Sequence, residues 1–200
     1  MRVTKAQAQA NRARIVETAS TLFRERGYDG VGVADLMAAA GFTHGGFYKH
    51  FRSKAELMAE AAASGLSQAL ASSEGLDVAE FFKRYLSREH RDALSVGCTM
   101  AALGGDAARQ SEDIKATFAA GIESMLAALG REGAMLGDKR SVRAKMIDML
   151  AHAVGALVLS RSCPDDSSLS DEILEVCRKQ ILAPLSSAGR PTSVHRRSRR

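Results

Sequence analysis

Hydrogen-bonding side chains that suit contact with a nucleic acid cluster in one short stretch of the chain. Residues 43–54 include Thr43, His44, Tyr48, Lys49, His50 and Lys54. Hydroxyl, imidazole and ammonium groups of this kind donate hydrogen bonds to phosphate oxygens and to base edges. Gly45 and Gly46 lie among them and would let the backbone come close to a partner. The residue types therefore indicate a surface that contacts DNA.

The residues around this stretch predict the elements that would position it. Residues 33–40 have the apolar spacing of a short helix, and Gly41 permits a tight turn after it. Thr43 is a suitable N-cap for a second short helix over residues 44–50. This arrangement is a helix-turn-helix, which places its second helix in the DNA major groove.

The order of the residues assigns each a role within that motif. The exposed start and face of the second helix would reach base edges, and this set comprises His44, Gly45, Gly46 and Lys49. A second set would contact phosphates and comprises Thr43, Tyr48, His50 and Lys54. His50 is equally suited to bracing the first helix. Lys54 lies in the first turn of the next helix, where a cation opposes the helix dipole, so stability does not explain it.

Helical periodicity continues on both sides of the motif. A first helix is predicted over residues 9–26, after a polar basic arm, and another runs from a capping box at residues 53–56 to about residue 71. Later helices are predicted over residues 77–93, 99–109, 112–130, 141–161 and 171–183. We predict Ser111 and Ser170 as N-caps of two of them. Residues 186–200 are rich in Ser and Arg, have no apolar face and predict a disordered basic tail. The expected fold class is all-α.

The charge of the chain is unevenly distributed along its 200 residues. Residues 1–54 carry nine Lys or Arg and four Asp or Glu, whereas residues 55–185 carry fourteen and nineteen. Residues 186–200 carry five Arg and no acidic residue. Basic ends around an acidic middle predict that DNA contact lies at the N-terminus and that the middle does something else. The Arg-rich tail would add non-specific DNA affinity or stay solvated.

Several classes of protein are disfavoured. Cys98, Cys163 and Cys177 are widely spaced and form no pattern of a disulfide framework or zinc site. The N-terminal residues have no apolar run of a signal peptide, and residues 146–159 are too short to span a bilayer. We expect a soluble cytoplasmic protein without metal or cofactor. An enzyme with Cys98 as nucleophile and His90 or His152 as base has no supporting motif, so we predict no enzymatic activity.

A longer signature spans the first helix to the start of the fourth. It comprises Arg12, Ile15, Val16, Ala19, Leu22, Phe23, Gly27, Tyr28, Val33, Leu36, Ala40, Gly41, Phe42, Thr43, Gly45, Phe47, Tyr48, His50, Phe51, Ser53, Lys54 and Leu57. This stretch resembles the tetracycline-repressor (TetR) family of bacterial one-component regulators. The departures are Val31-Gly32, where Thr-Thr or Thr-Ser is usual, and Met37 in place of Ala. Gly32 cannot supply a side-chain oxygen to cap the second helix.

The resemblance implies a division of the chain. A three-helix helix-turn-helix DNA-binding domain would occupy residues 1–52, and a larger helical ligand-binding and dimerisation domain residues 53–185. Its last two helices would pair with their copies in a four-helix interface, where we place Leu157 and Ile181. The predicted ligand pocket comprises Phe82, Tyr85, Met100, Phe118, Met125 and His152. The alternative for its apolar members is that they belong to the hydrophobic core and line no pocket. For His152, a helix-face pair with Asp148 is the alternative.

The resemblance also implies a function with alternatives. The leading hypothesis is a repressor that binds a palindromic double-stranded DNA operator as a homodimer and is released by an unknown small-molecule effector. The stretch after Gly97-Cys98 resembles a subgroup that includes sensors of electrophiles and oxidants, so covalent modification of Cys98 is one alternative. A free Cys is more often a buried structural residue. An architectural DNA-binding protein, with the later helices serving only as a dimeriser, is the other alternative.

Overall fold

The computed structural model describes residues 4–188, and every regular element within that range is a helix, which confirms the all-α fold class. The first three elements are α1 (Lys5–Arg26), α2 (Val33–Ala39) and a 3₁₀ segment (His44–Lys49). We call these three elements the head. The remaining elements, which we call the body, are α3 (Lys54–Ala71), α4 (Val78–Tyr85), α5 (Arg88–Asp92), α6 (Thr99–Ala107), α7 (Glu112–Glu132), a 3₁₀ turn (Ala134–Leu136), α8 (Lys139–Arg161) and α9 (Ser168–Ala188).

The first helix begins earlier than its apolar stripe predicts. The Thr4 hydroxyl accepts a hydrogen bond from the Gln7 backbone N–H at 3.2 Å, and the helix starts at Lys5. Residues 5–8, which were predicted to belong to the polar basic arm, are therefore helical. Gly27 ends α1 as predicted, at a φ of 72° that side chains disfavour, and its N–H bonds the Phe23 carbonyl.

The second helix of the motif is a 3₁₀ segment rather than an α-helix. Gly41, at a φ of 82°, makes the turn that precedes it. Thr43 has extended backbone but its side chain makes no capping bond, contrary to the predicted N-cap, and Gly32 likewise begins α2 without one. Two adjacent glycines lower the helix propensity of a segment that is already short. The segment therefore depends on the burial of Phe47 for its position, since that side chain is 1% exposed.

Two hydrophobic cores run through the molecule. The first joins the head to the body, because Ile15, Phe23 and Phe47 of the head pack in one cluster with Leu57 of α3 and Leu103 of α6. The second lies wholly in the body. Its buried members come from α3, α4 and α6–α9 and from the residues that flank α4 and α6. The head is thus fixed on the body through α3, α6 and α7 instead of hanging from a linker.

Three predicted details of the body are wrong. The helix expected over residues 77–93 breaks after Leu86, where the Ser87 hydroxyl accepts from the His90 N–H and starts α5. Ser111 precedes α7 but makes no side-chain capping bond. Ser170 lies inside α9, fully buried, with its hydroxyl 3.0 Å from that of Ser160.

The last two helices pack against each other and against the body core. Leu157 and Ile181, which we placed in a dimer interface, are buried inside the protomer instead. Apolar side chains that remain exposed on α8 and α9 include Ile147, Val158, Leu169 and Val176. Because α9 continues to Ala188, residues 186–188 of the predicted disordered tail are helical. Residues 189–200 of that tail lie outside the described residues.

Two further properties hold for the described part of the chain. None of its helices has the length and apolar character needed to cross a membrane. Its His, Cys, Asp and Glu side chains form no group that would hold a metal ion.

Candidate nucleic-acid interface and candidate ligand cavity

The side chains predicted to read DNA lie on one exposed edge of the head. Thr43, His44, Gly45 and Lys49 are exposed, and Gly46 is half-buried beside Met37 and Thr43. Tyr48 is 69% exposed and packs edge-on against Phe47, with ring centroids 5.3 Å apart. Burial of Phe47 in the head core turns its neighbours outward. The arrangement offers a hydroxyl, an imidazole, a phenol and an ammonium to a partner.

His50 and Lys54 are more enclosed than the rest of the predicted phosphate set. The His50 ring is half-buried between Phe42 and Phe51, at centroid distances of 6.2 and 6.4 Å. The Lys54 ammonium donates to the Tyr28 carbonyl at 2.6 Å, just beyond the end of α1. This bond explains a lysine in the first turn of a helix without a phosphate. Their contacts with phosphate stay predictions.

An ion-pair network that sequence reasoning missed fixes α1 against α3. The Arg12 guanidinium lies over the Phe51 ring, 4.1 Å from its centroid, and pairs with Glu56 at 2.9 Å and with Glu60. Glu56 also accepts from the Arg52 backbone N–H at 2.7 Å. That backbone bond, followed by the Arg12 pair, lowers the pKa of Glu56. The network holds the residues that directly follow the His44–Lys49 segment against α1, and so helps to orient the candidate interface.

A second candidate site is a cavity of about 450 Å³ in the body. Its wall is built by residues of α1, α3, α4, α5, α6 and α7 and by the loops that follow α3 and precede α6. Tyr85, Met100 and Met125 of the predicted pocket line it, and Cys98 does so as well. The volume lies in the range of small-molecule sites.

Comparison with known proteins identifies the head. Residues 15–61 match the family described as bacterial regulatory proteins, tetR family. The head therefore resembles the N-terminal segment of TetR-family regulators. It is 45% identical over 58 residues to the HTH-type transcriptional regulator TtgR of Pseudomonas putida, which covers 29% of this chain and 28% of TtgR. Similarity to AcrR of Shigella flexneri is 37% over 59 residues, or 30% of this chain and 27% of AcrR. The chain thus matches under a third of the length of these curated relatives.

Solved structures extend the likeness to the whole TetR fold. The reduced form of E. coli NemR superposes with a TM-score of 0.67 at 21% identity, covering 86% of this chain and 95% of NemR. A TetR-family regulator from Cytophaga hutchinsonii gives a TM-score of 0.70 at 20% identity, covering 92% and 98%. At these identities the likeness shows a shared fold. The resemblance recognised in the head is therefore confirmed, and the chain as a whole shares the fold of these TetR-family structures.

Three residues predicted for the TetR ligand pocket do not line the cavity. Phe82 is completely buried in the body core, and Phe118 packs in the core that joins head and body. His152 is exposed on α8. An apolar stripe on a helix tells which face is buried, but it does not tell whether that face meets a neighbouring helix or an empty space.

The cavity wall is cationic. It includes Arg24, Arg84 and His90, and none of the described residues that line it is acidic. The His90 Nδ1 donates to the Tyr85 carbonyl at 2.7 Å, and burial lowers the pKa of His90. Burial also raises the pKa of the Tyr85 phenol well above its ordinary value. Both groups are therefore neutral near pH 7, so the positive charge comes from guanidinium groups.

Cys98 lies in this cationic wall. It is 4% exposed and stands at the N-cap position of α6. The charges of Arg24 and Arg161 both interact with its thiol. Cys163 and Cys177 are half-buried and lie outside the residues that line the cavity. Sequence reasoning missed Arg24, although Ser20 and Arg24 at i, i+4 beside the buried stripe of α1 were a signal of a buried polar contact.

Proposed function

We propose that this TetR-family regulator is a repressor that binds a palindromic operator as a homodimer and leaves it when a small molecule fills the cavity. One observation carries the proposal: Arg24 belongs to α1 of the head and also lines the cavity of the body. A ligand that contacts Arg24 acts directly on the element that positions the candidate DNA interface. A cavity in the body also favours this function over a purely architectural one.

A second connection runs through α6. Its N-terminal end, at Cys98 and Met100, borders the cavity. At its other end Asp106 accepts a hydrogen bond from the Tyr28 N–H at 3.1 Å, just after α1. The Lys54 ammonium donates a hydrogen bond to the carbonyl of Tyr28. A ligand that shifts α6 would therefore also shift the junction of α1 and α3. If DNA binds more tightly to one position of the head and the ligand to another, ligand binding shifts the population away from the DNA-binding position.

The exposed apolar side chains of α8 and α9 support a dimer. Ile147 and Val158 are 45% and 40% exposed on α8, and Leu169 and Val176 are 52% and 50% exposed on α9. A side chain at Gly155, between the two α8 residues, would meet nothing within 4 Å. One helix-turn-helix reads only a half-site, so a palindrome requires two copies. We assign the dimer contact to this surface.

The test combines DNA binding with sedimentation. The full chain is titrated onto the DNA upstream of its own gene, and we expect saturable binding by a dimer. Val158→Glu is expected to give monomers with weak binding, since a charge replaces an apolar contact. Ile122→Glu is the matched control, because Ile122 is 37% exposed on α7 and should leave the dimer intact. A dimer that survives both Val158→Glu and Val176→Glu would place the interface elsewhere.

A covalent sensor is the second candidate, favoured by the placement of Cys98 in the cavity wall beside two guanidinium groups. A small electrophile that entered the cavity would come into contact with this thiol. Timed alkylation with mass spectrometry separates the two mechanisms. A sensor requires Cys98 to react before Cys163 and Cys177 and Cys98→Ser to abolish release of DNA. Reversible binding predicts slow labelling of Cys98 and a Cys98→Ser variant that still responds.

A further inference from the structure

Buried arginines in the body and head are balanced in different ways. Arg91 is 3% exposed and pairs with Asp92 at 2.6 Å and with Asp165 at 3.2 Å. Arg24 is 7% exposed and its guanidinium donates to the Ser95 carbonyl at 2.8 Å and to the Ser20 hydroxyl at 2.7 Å. Neither partner of Arg24 is charged, and within residues 4–188 it has no ion pair. The charge of Arg24 is therefore hydrogen-bonded but not neutralised.

A second guanidinium near the cavity, that of Arg161, is likewise hydrogen-bonded but not neutralised. Arg161 donates to the carbonyls of Arg91 and His90, at 2.9 Å in both cases. Its Nη1 is buried and has no partner among the described residues. Burial lowers the pKa of both Arg24 and Arg161. Burying a cation without a counter-charge is costly, so an anion placed between these groups would gain free energy.

Unsatisfied hydroxyl groups lie in the same place. Tyr85 lines the cavity, and its hydroxyl is buried beside the Cys98 thiol, a weak hydrogen-bonding group, with no oxygen or nitrogen partner in the described residues. The Thr99 hydroxyl, one residue after Cys98, is also buried without a partner there. Gly65 brings the groups together, since a Cβ added to it would lie 2.6 Å from Arg24 Nη1 and 2.4 Å from Thr99 Oγ1. Buried polar groups without a partner are rare and here point to a ligand that supplies acceptors.

Another part of the cavity wall is apolar. Leu76, Phe81, Met100 and Met125 contribute side chains that would contact a hydrocarbon chain or ring. We propose that the cavity binds an apolar organic carboxylate, whose carboxylate is held by Arg24 and the Tyr85 hydroxyl while its hydrocarbon part lies against these four residues. The inference rests on the proposed release by a small molecule and specifies its chemistry. Because Arg24 is on α1, the carboxylate also acts on the head.

The experiment compares ligands that differ only in the charge of one end. Hexanoate, octanoate, decanoate and dodecanoate are titrated into the full chain by calorimetry, each beside the alcohol and the primary amine of equal length. At the best-fitting length we expect the carboxylate to bind about tenfold or more tightly than the alcohol, and the amine more weakly than either. Equal binding of all three, or preference for the amine, would overturn the assignment of charge.

Variants then locate the carboxylate. Arg24→Gln is expected to reduce carboxylate affinity to that of the alcohol, and Tyr85→Phe to reduce it severalfold without loss of the fold. Arg26→Gln is the matched control, since it removes the same charge from an exposed position on α1 that does not line the cavity. Unchanged carboxylate binding in both Arg24→Gln and Tyr85→Phe would overturn the site.

Operator binding by the ligand-free protein is measured separately, so failure of the ligand class is distinct from failure of the proposed function. A protein that binds its operator but none of the four carboxylates would contradict the inference and leave the DNA-binding function intact. Release of the operator by decanoate in the wild type, and not in Arg24→Gln, would support both.

Discussion

The head and the body place their polar side chains in opposite positions. In the head, His44, Tyr48 and Lys49 are exposed around a closed apolar core. Around the cavity of the body, Tyr85, Thr99 and Arg24 of α1 are buried, and the two hydroxyls have no oxygen or nitrogen partner in the described residues. The head exposes hydrogen-bond donors to its surroundings, whereas the body encloses polar groups around an internal space. The two regions therefore respond differently to substitution.

The largest expected effect tests how tightly each region is packed. Phe47→Ala should cost about 3–5 kcal/mol of unfolding free energy, because Phe47 is 1% exposed and its loss leaves a void. Met125→Ala borders a cavity that already exists and should cost about 2 kcal/mol, at the lower end for such changes. Urea unfolding measures both. Equal costs would remove the contrast in packing.

His44→Ala tests direct reading of a base by the head. We expect a loss of about 1–3 kcal/mol of DNA-binding free energy confined to one base pair of the operator, because the imidazole donates to a base edge. The measurement is binding to a set of operators with single base-pair changes. An unchanged sequence preference would remove His44 from the reading set.

Lys54→Ala separates an internal role from a phosphate contact. Loss of the bond to the Tyr28 carbonyl should lower stability by about 1 kcal/mol. A phosphate contact would in addition reduce the slope of log affinity against log salt by about 1, equally for all sequences. Lys83→Ala, at an exposed position on α4 outside the head, is the control for the salt slope. A stability loss without a change of slope would assign Lys54 to the fold alone.

The smallest expected effect is a pH dependence that originates in the body. Burial lowers the pKa of His90 below its ordinary 6.5. The imidazole therefore binds a proton more tightly in the unfolded chain than in the folded protein. Its contribution to stability is complete above the unfolded pKa and is lost as the pH falls below it. Melting temperatures of the wild type should drop between about pH 7.5 and 5.5 more than those of His90→Gln. Parallel curves would contradict the assignment.

Sequence patterns predicted the head better than the body. The spacing of Ile15, Ala19 and Phe23 and the turn at Gly41 determine the head locally, so its helices could be placed to within a few residues. The 3₁₀ form of the His44–Lys49 segment was missed because it depends on a balance between the low helix propensity of two glycines and the packing of Phe47. A sequence pattern does not show which of the two effects is larger.

The cavity wall depends on contacts between distant residues, which explains what sequence reasoning missed there. Arg24 bonds Ser95, 71 positions away, and nothing near Arg24 in the chain distinguishes it from a solvated arginine except Ser20 one turn earlier. Phe82 and Tyr85 lie on the same short helix and are both buried, yet Tyr85 alone of the two borders the cavity. Burial follows from periodicity, but the location of an empty space does not.

Arg24 has a consequence for engineering. Proteins of this architecture can be used to build chimeras, in which the N-terminal helices of one protein are joined to the remaining helices of another. Here the graft boundary would cut through the wall of the cavity, because that wall contains a residue contributed by α1. A hybrid that takes residues 4–53 from a relative inherits that relative's side chain at position 24. Under the proposed function, such hybrids are expected to change effector preference together with operator preference unless an arginine is restored there.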